Sequence, residues 1–69
     1  DMTGMANHIT EVISRDLRLN IRSMNFSAAS GGSVEGVVSV EVPGTAAVDT
    51  LIHSIMRIRG VQRAYRINN

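Results

Sequence analysis

The sequence predicts a single α+β domain in which an antiparallel sheet carries two helices on one face. Apolar residues recur every three or four positions in two segments, which is the spacing of amphipathic helices. Three other segments alternate between β-branched or other apolar residues and polar ones, which is typical of strands. The chain has 69 residues, enough for one domain near the lower limit for a self-sufficient core.

The first helix is predicted from Gly4 to about Leu17. Arg15 and Arg18 lie at its C-terminal end, where positive charge interacts favourably with the helix dipole. The apolar side chains form a single stripe, made by Met5, Ile9, Val12 and Ile13.

A β-hairpin is predicted next, with strands over residues 19–28 and 33–42. In the first strand, Ile21 falls on one phase of the alternation, whereas Met24 and Phe26 fall on the other. Such a change of phase is expected where a bulge or a strong twist interrupts the pairing. The turn is assigned to residues 29–32, because its two glycines accept the positive φ that tight turns need.

The second helix is predicted to begin at Thr45 as its N-cap and to stop at Gly60. A glycine at this place readily takes the left-handed conformation that ends a helix. Residues 61–67 are predicted to form the final strand. The buried stripe of the helix is made by Val48, Leu51, Ile52, Ile55 and Ile58.

The predicted order, helix–strand–strand–helix–strand, lacks one element of the βαββαβ, or ferredoxin-like, fold. The missing element is a strand before Asp1, which in that fold is central and pairs with the last strand. We therefore expect that the chain is a fragment. Three explanations are open for the missing first strand: it was removed, it is disordered, or another copy supplies it. In each case the last strand, residues 61–67, has no neighbour within this chain.

The residues offer no catalytic or metal-binding constellation. Cysteine is absent, which excludes disulfides, thiolate metal sites and cysteine nucleophiles. His8 and His53 fall on the polar faces of different helices with no ligand at metal-binding spacing, so we expect both to be exposed. No serine lies in a nucleophile elbow. We predict no catalytic residue, no metal and no cofactor in this segment.

The net charge of +1 is too small to indicate a nucleic-acid partner by itself. No apolar run approaches the ~20 residues of a membrane span, and nothing resembles a signal peptide, so we expect a cytoplasmic protein without a membrane partner. Contacts of a basic C-terminal end with RNA phosphates would appear as salt dependence. The candidate residues for contact with RNA or a protein partner are Arg57, Arg59, Arg63 and Arg66.

Short motifs occur in order along nearly the whole chain. They are Asp1-x-x-Gly4-Met5, Ile9-Thr10-x-Val12-Ile13, Asn20-Ile21-Arg22-Ser23, Glu35-Gly36, Leu51-x-x-x-Ile55-x-x-Ile58-x-Gly60-Val61 and Arg66. Each motif alone is weak, and only their order and spacing are specific. Together they resemble the C-terminal ACT domain of long RelA/SpoT-type enzymes, which synthesise and hydrolyse guanosine tetra- and pentaphosphate.

The resemblance implies a regulatory module and not an enzyme. RelA/SpoT-type parents are GTP pyrophosphokinases (ATP:GTP diphosphotransferases) with N-terminal catalytic domains, and some of them also hydrolyse the product. Their C-terminal region senses amino-acid starvation through the ribosome and uncharged tRNA, in the stringent response. The parent chain is therefore expected to be a transferase of this type, either synthetase-only or bifunctional.

The resemblance also implies a homodimer and a candidate ligand site. ACT domains generally pair side by side, and many bind an amino acid where the loop before the first helix meets the partner's strand. A glycine at the head of a helix lets a ligand reach the free N–H groups there. The candidate residues are Asp1, Met2, Thr3, Gly4 and Met5 at the helix, and Asn20, Ile21 and Arg22 at the strand.

Two other functions remain open for the same fold. One is an ACT domain that binds a free amino acid and regulates an amino-acid biosynthetic enzyme. The other is a purely structural dimerisation module, which the small core and the valine-rich third strand of the complete fold favour.

Overall fold

A computed structural model describes residues 1–68 of the chain. The two strands form one antiparallel sheet, as expected for a partial ferredoxin-like fold without its first strand. The elements are helix α1 (Met2–Glu11, continued by a π-helical turn, Val12–Asp16), strand β1 (Asn20–Ala28), strand β2 (Val34–Glu41) and helix α2 (Thr45–Met56).

Helix α1 is confirmed, although it begins two residues earlier than predicted. Asp1 is its N-cap, because the Asp1 carboxylate accepts a hydrogen bond of 2.6 Å from the Gly4 N–H. At the other end, the Leu17 N–H donates to the Val12 carbonyl at 2.9 Å and closes the π-helical turn. Arg18 follows in the left-handed conformation, with φ 56°, and turns the chain toward β1.

The predicted change of phase in β1 is a β-bulge. Ile21 pairs with Val40 and Ser23 pairs with Ser39, so Arg22 is the extra residue between the two pairs. The inserted residue reverses the alternation, so Ile21 lies on the same face of the sheet as Met24 and Phe26. The turn between the strands is a single 3₁₀ turn whose two glycines have φ of 74° and 79°.

Helix α2 differs from the prediction at its first residue. Gly44 is the N-cap, without a side-chain hydrogen bond, and Thr45 is the first helical residue, so the prediction of Thr45 as N-cap was wrong by one position. The predicted end is also wrong, because the helix ends at Met56 with Arg57 as its C-cap, four residues before Gly60. Gly60 does have a positive φ of 98°, but it lies in the turn that follows the helix, where the Val61 N–H donates to the Ile58 carbonyl at 3.1 Å.

The predicted final strand over residues 61–67 is not formed. A strand is defined by hydrogen bonds to a neighbouring strand. β2 pairs with β1 along one edge, and within residues 1–68 no strand pairs with its other edge. Two apolar side chains of this segment, Tyr65 and Ile67, are 64% and 58% exposed. The segment therefore has the apolar alternation of a strand without the pairing of one.

The core lies between the helices and one face of the hairpin. Only three side chains of the described residues are buried, Ile9, Ile13 and Ile58, and of these Ile13 alone is fully buried. The helix stripes and the sheet pack against them through half-buried residues, among them Met5, Val12, Leu19, Ile21, Phe26, Val38, Val40, Leu51 and Ile55. The small number of fully buried residues reflects the position left open beside β2.

Candidate functional site

An apolar groove of about 760 Å³ separates β2 from residues 61–67. We call it the sheet groove. Its floor is formed by Ile9 and Ile13 of α1 and by Leu51 and Ile55 of α2. The groove lies where the first strand of a complete ferredoxin-like fold would run, between β2 and the last segment.

Residues from the start of α1 reach the sheet groove. Asp1 and Met5 line it together with Gly60. The terminal methyl group of Met5 lies so close to Gly60 that a β-carbon on the glycine would come within 2.9 Å of it. Part of the candidate ligand site is therefore continuous with the groove and with the turn that ends α2.

The candidate residues at the start of α1 form its N-cap and first turn. The Met5 N–H donates to the Asp1 carbonyl at 3.0 Å, and the Gly4 N–H is already held by the Asp1 carboxylate. A β-carbon on Gly4 would lie 2.9 Å from that carboxylate, so a larger residue here would require the Asp1 side chain to shift. Among the described residues nothing accepts a hydrogen bond from the N–H groups of Met2 and Thr3. These two groups point from the helix end and are available to an anion.

The candidate residues on the strand lie at the opposite end of α1. The Asn20 amide donates to the Glu41 carboxylate at 2.9 Å, and the Arg22 guanidinium lies 4.0 Å from the same side chain. Ile21 is half-buried. The helix between the two groups rises about 1.5 Å per residue, so they are separated by roughly 20 Å. The structure does not bring them together within one chain.

The four candidate arginines near the C-terminus lie in three different places. The Arg63 guanidinium lies 4.7 Å from the centre of the Tyr65 ring, which is a cation–π contact at the sheet groove. Arg57 and Arg59 line a separate cleft between the two helices. Arg66 is exposed and lines neither cavity.

Sequence reasoning missed the cleft between the helices, and a signal for it was available. His8, Val12 and Asp16 are spaced by four residues and form one stripe on α1 and its π-helical continuation. Ser54 and Ile58, also four apart, face them from α2 and the turn that follows. Both histidines are exposed, as predicted.

Residues 1–68 contain neither a metal cluster nor a membrane-spanning helix. No group of histidine, aspartate and glutamate side chains there is arranged to hold a metal ion. None of the helices in this part of the chain has the length and apolar content needed to cross a bilayer.

A sequence profile of the ACT domain matches residues 1–66. The chain belongs to the ACT domain family. The match covers both groups of candidate ligand residues and all the residues of the sheet groove except Ile67. Searches among curated proteins and among solved structures gave no match. ACT domains are regulatory, non-catalytic modules with a ferredoxin-like fold, so this ACT domain has a regulatory, ligand-sensing role.

Proposed function

We propose that this ACT domain is the C-terminal regulatory domain of a RelA/SpoT-type GTP pyrophosphokinase. In that role it conveys the starvation state of the cell to catalytic domains elsewhere in the protein. The observation that carries the proposal is the ordered set of motifs along the chain. Among them, Asn20-Ile21-Arg22-Ser23 at the start of β1 favours this family over the ACT domains of amino-acid biosynthetic enzymes.

The distance between the two halves of the candidate site supports a dimer. A free amino acid is only a few ångströms long, so a single chain cannot hold it with both Thr3 and Arg22 when they are roughly 20 Å apart. Two copies paired side by side place the first turn of α1 in one copy next to β1 of the other. We therefore propose a homodimer in which each ligand site is shared between the two copies.

The function is tested by deleting residues 1–66 from the full-length protein. We expect guanosine tetraphosphate synthesis without ribosomes to continue, and its response to starved ribosomes with uncharged tRNA to be lost. Synthesis is measured with labelled nucleotide in both conditions. An unchanged response after deletion would overturn the proposal.

The alternative, an amino-acid sensor on a biosynthetic enzyme, is favoured by the two unpaired N–H groups at the start of α1. It predicts tight and stereospecific binding of one amino acid. Isothermal titration of the full-length protein against each of the twenty amino acids distinguishes the two functions. Binding of none of them leaves the ribosome and dimer contacts as the regulatory input.

Gly4→Val is the variant for this titration. We expect it to abolish binding of any amino acid that the protein binds at the start of α1, because the new side chain meets the Asp1 carboxylate and adds bulk at that helix end. It also disturbs the N-cap, with a loss of about 1 kcal/mol of stability. Asp1→Ala, which removes the cap without adding bulk, is therefore measured beside it. Equal affinity of Gly4→Val and the unchanged protein would contradict a ligand contact at this glycine.

A further inference from the structure

A second cavity, of about 510 Å³, lies between α1 and α2 and shares no lining residue with the sheet groove. We call it the interhelix cleft. It is open to solvent along much of its length, so a ligand there would be held mainly by the side chains that line it. It is lined from α1 and its continuation by His8, Val12, Asp16 and Leu17, and from α2 and the following turn by Ser54, Arg57, Ile58 and Arg59.

The interhelix cleft carries an excess of positive charge. Its one acidic side chain, Asp16, already accepts a hydrogen bond of 3.4 Å from the Arg15 side chain. Neither Arg57 nor Arg59 forms an ion pair with any of the residues that the structure describes. The negative end of the α2 dipole accounts for arginines at this position. It does not account for His8, which faces them from the other helix.

The remaining lining residues divide into hydrogen-bond donors and an apolar wall. The two guanidinium groups, the His8 imidazole and the Ser54 hydroxyl can all donate, and a guanidinium fork matches the oxygens of a phosphate. Val12, Leu17 and Ile58 supply no polar side-chain atom. The combination suits a ligand that is anionic at one end and uncharged at the other.

We propose that the interhelix cleft binds a phosphorylated small molecule. Arg57 and Arg59 hold the phosphate, with His8 and Ser54 as further donors, and the apolar wall contacts the uncharged part. The site is separate from the amino-acid site considered above, and the proposal does not depend on the identity of the parent enzyme. It gives this ACT domain a second ligand, bound on the side of the helices away from the sheet groove.

The two histidines of the chain provide the test, because His8 lines the cleft and His53 does not. Proton NMR of the full-length protein follows the imidazole signals of both during titration with phenyl phosphate. We expect a saturable shift of His8 and none of His53. Inorganic phosphate should bind at the same place but more weakly, since it leaves the apolar wall without a contact.

Matched arginine variants complete the experiment. Arg57→Gln and Arg59→Gln should each weaken phenyl phosphate binding about tenfold, because each removes a charge-assisted hydrogen bond. Arg66→Gln loses the same charge outside the cleft and should bind as the unchanged protein does. Equal weakening by all three variants, or parallel shifts of both histidines, would show general ionic attraction and overturn the proposal.

A short single-stranded RNA is the remaining probe. If it shifts His8 saturably while phenyl phosphate does not, the cleft contacts an RNA backbone and the small-molecule proposal is wrong. Equal affinity for phenyl phosphate and inorganic phosphate would show that Val12, Leu17 and Ile58 do not contribute to binding, and would contradict the proposed contact with the uncharged part of the ligand.

Discussion

Two residues of this ACT domain take the left-handed conformation after a helix, and only one of them is glycine. Gly60 follows α2 with φ 98°, and Arg18 follows α1 with φ 56°. For a residue with a β-carbon this conformation costs about 1–2 kcal/mol. Arg18 therefore carries strain that Gly60 avoids, and substitutions at the two positions should have opposite effects on stability.

At Gly60 we expect Gly60→Val to lower the free energy of unfolding by at least about 1–2 kcal/mol. The new side chain would also meet the Met5 methyl group, since a β-carbon would come within 2.9 Å of it. Gly60→Asn is the matched control, because asparagine tolerates the left-handed conformation better than valine does. Urea unfolding measures both, and equal midpoints for the two variants would contradict this account.

At Arg18 we expect Arg18→Gly to raise the free energy of unfolding by up to about 1 kcal/mol, because the relief of strain exceeds the added entropy of the unfolded chain. Arg18→Ala keeps the strain while removing the charge, and so separates the conformational effect from the electrostatic one. Thermal unfolding of both variants measures the difference. Equal melting temperatures would show that the charge, and not the backbone, decides stability here.

At the scale of elements, local patterns predicted both helices, the hairpin, its turn and the bulge. Each of these depends on residues close in sequence, such as the change of phase after Ile21. The final strand over 61–67 was predicted from the same kind of pattern and does not form, because pairing depends on a neighbour that local sequence does not supply. The N-cap Asp1 was missed because the motif search assigned it to a ligand loop, although aspartate is a preferred cap.

The pairing of the hairpin depends on Gly36. This glycine is opposite Phe26, and the phenyl ring occupies the space that a β-carbon at position 36 would need. We expect Gly36→Val to cost about 1–3 kcal/mol, because the ring must leave its position against the core. A double-mutant cycle with Phe26→Leu is the control. The two changes should be strongly non-additive, and additive costs would show that the ring and the glycine are not coupled.

At the scale of the whole molecule, the motifs proposed two groups of residues for one candidate site, and that site stays a prediction. Local sequence could not show that the length of α1 and its continuation separates Thr3 from Arg22, by roughly 20 Å at about 1.5 Å per residue. The sheet groove is a property of packed elements that no single segment indicated, whereas the interhelix cleft had a local signal in the stripe of His8, Val12 and Asp16. The incomplete packing leaves only three side chains of the described residues buried.

Amide hydrogen exchange should be slow on one side of the sheet groove, in the hairpin, and fast on the other, in residues 62–67. Amides paired between β1 and β2 should exchange slowly, whereas those of residues 62–67 should exchange nearly as fast as unstructured chain, since no strand pairs with them. Mass spectrometry of peptides from the two regions measures the difference. Equal protection of both regions would mean that residues 62–67 already pair with another segment or another copy.

The intrinsic fluorescence of the exposed Tyr65 reports on the surroundings of the C-terminal segment of this ACT domain. It is the only tyrosine, and the chain has no tryptophan, so essentially all intrinsic emission comes from the segment that borders the sheet groove. Its ring is 64% exposed and lies beneath the Arg63 guanidinium. Any strand, second copy or partner that covers this segment must change the surroundings of that single fluorophore. Assembly of this domain can therefore be followed without a label, a dye or an added residue.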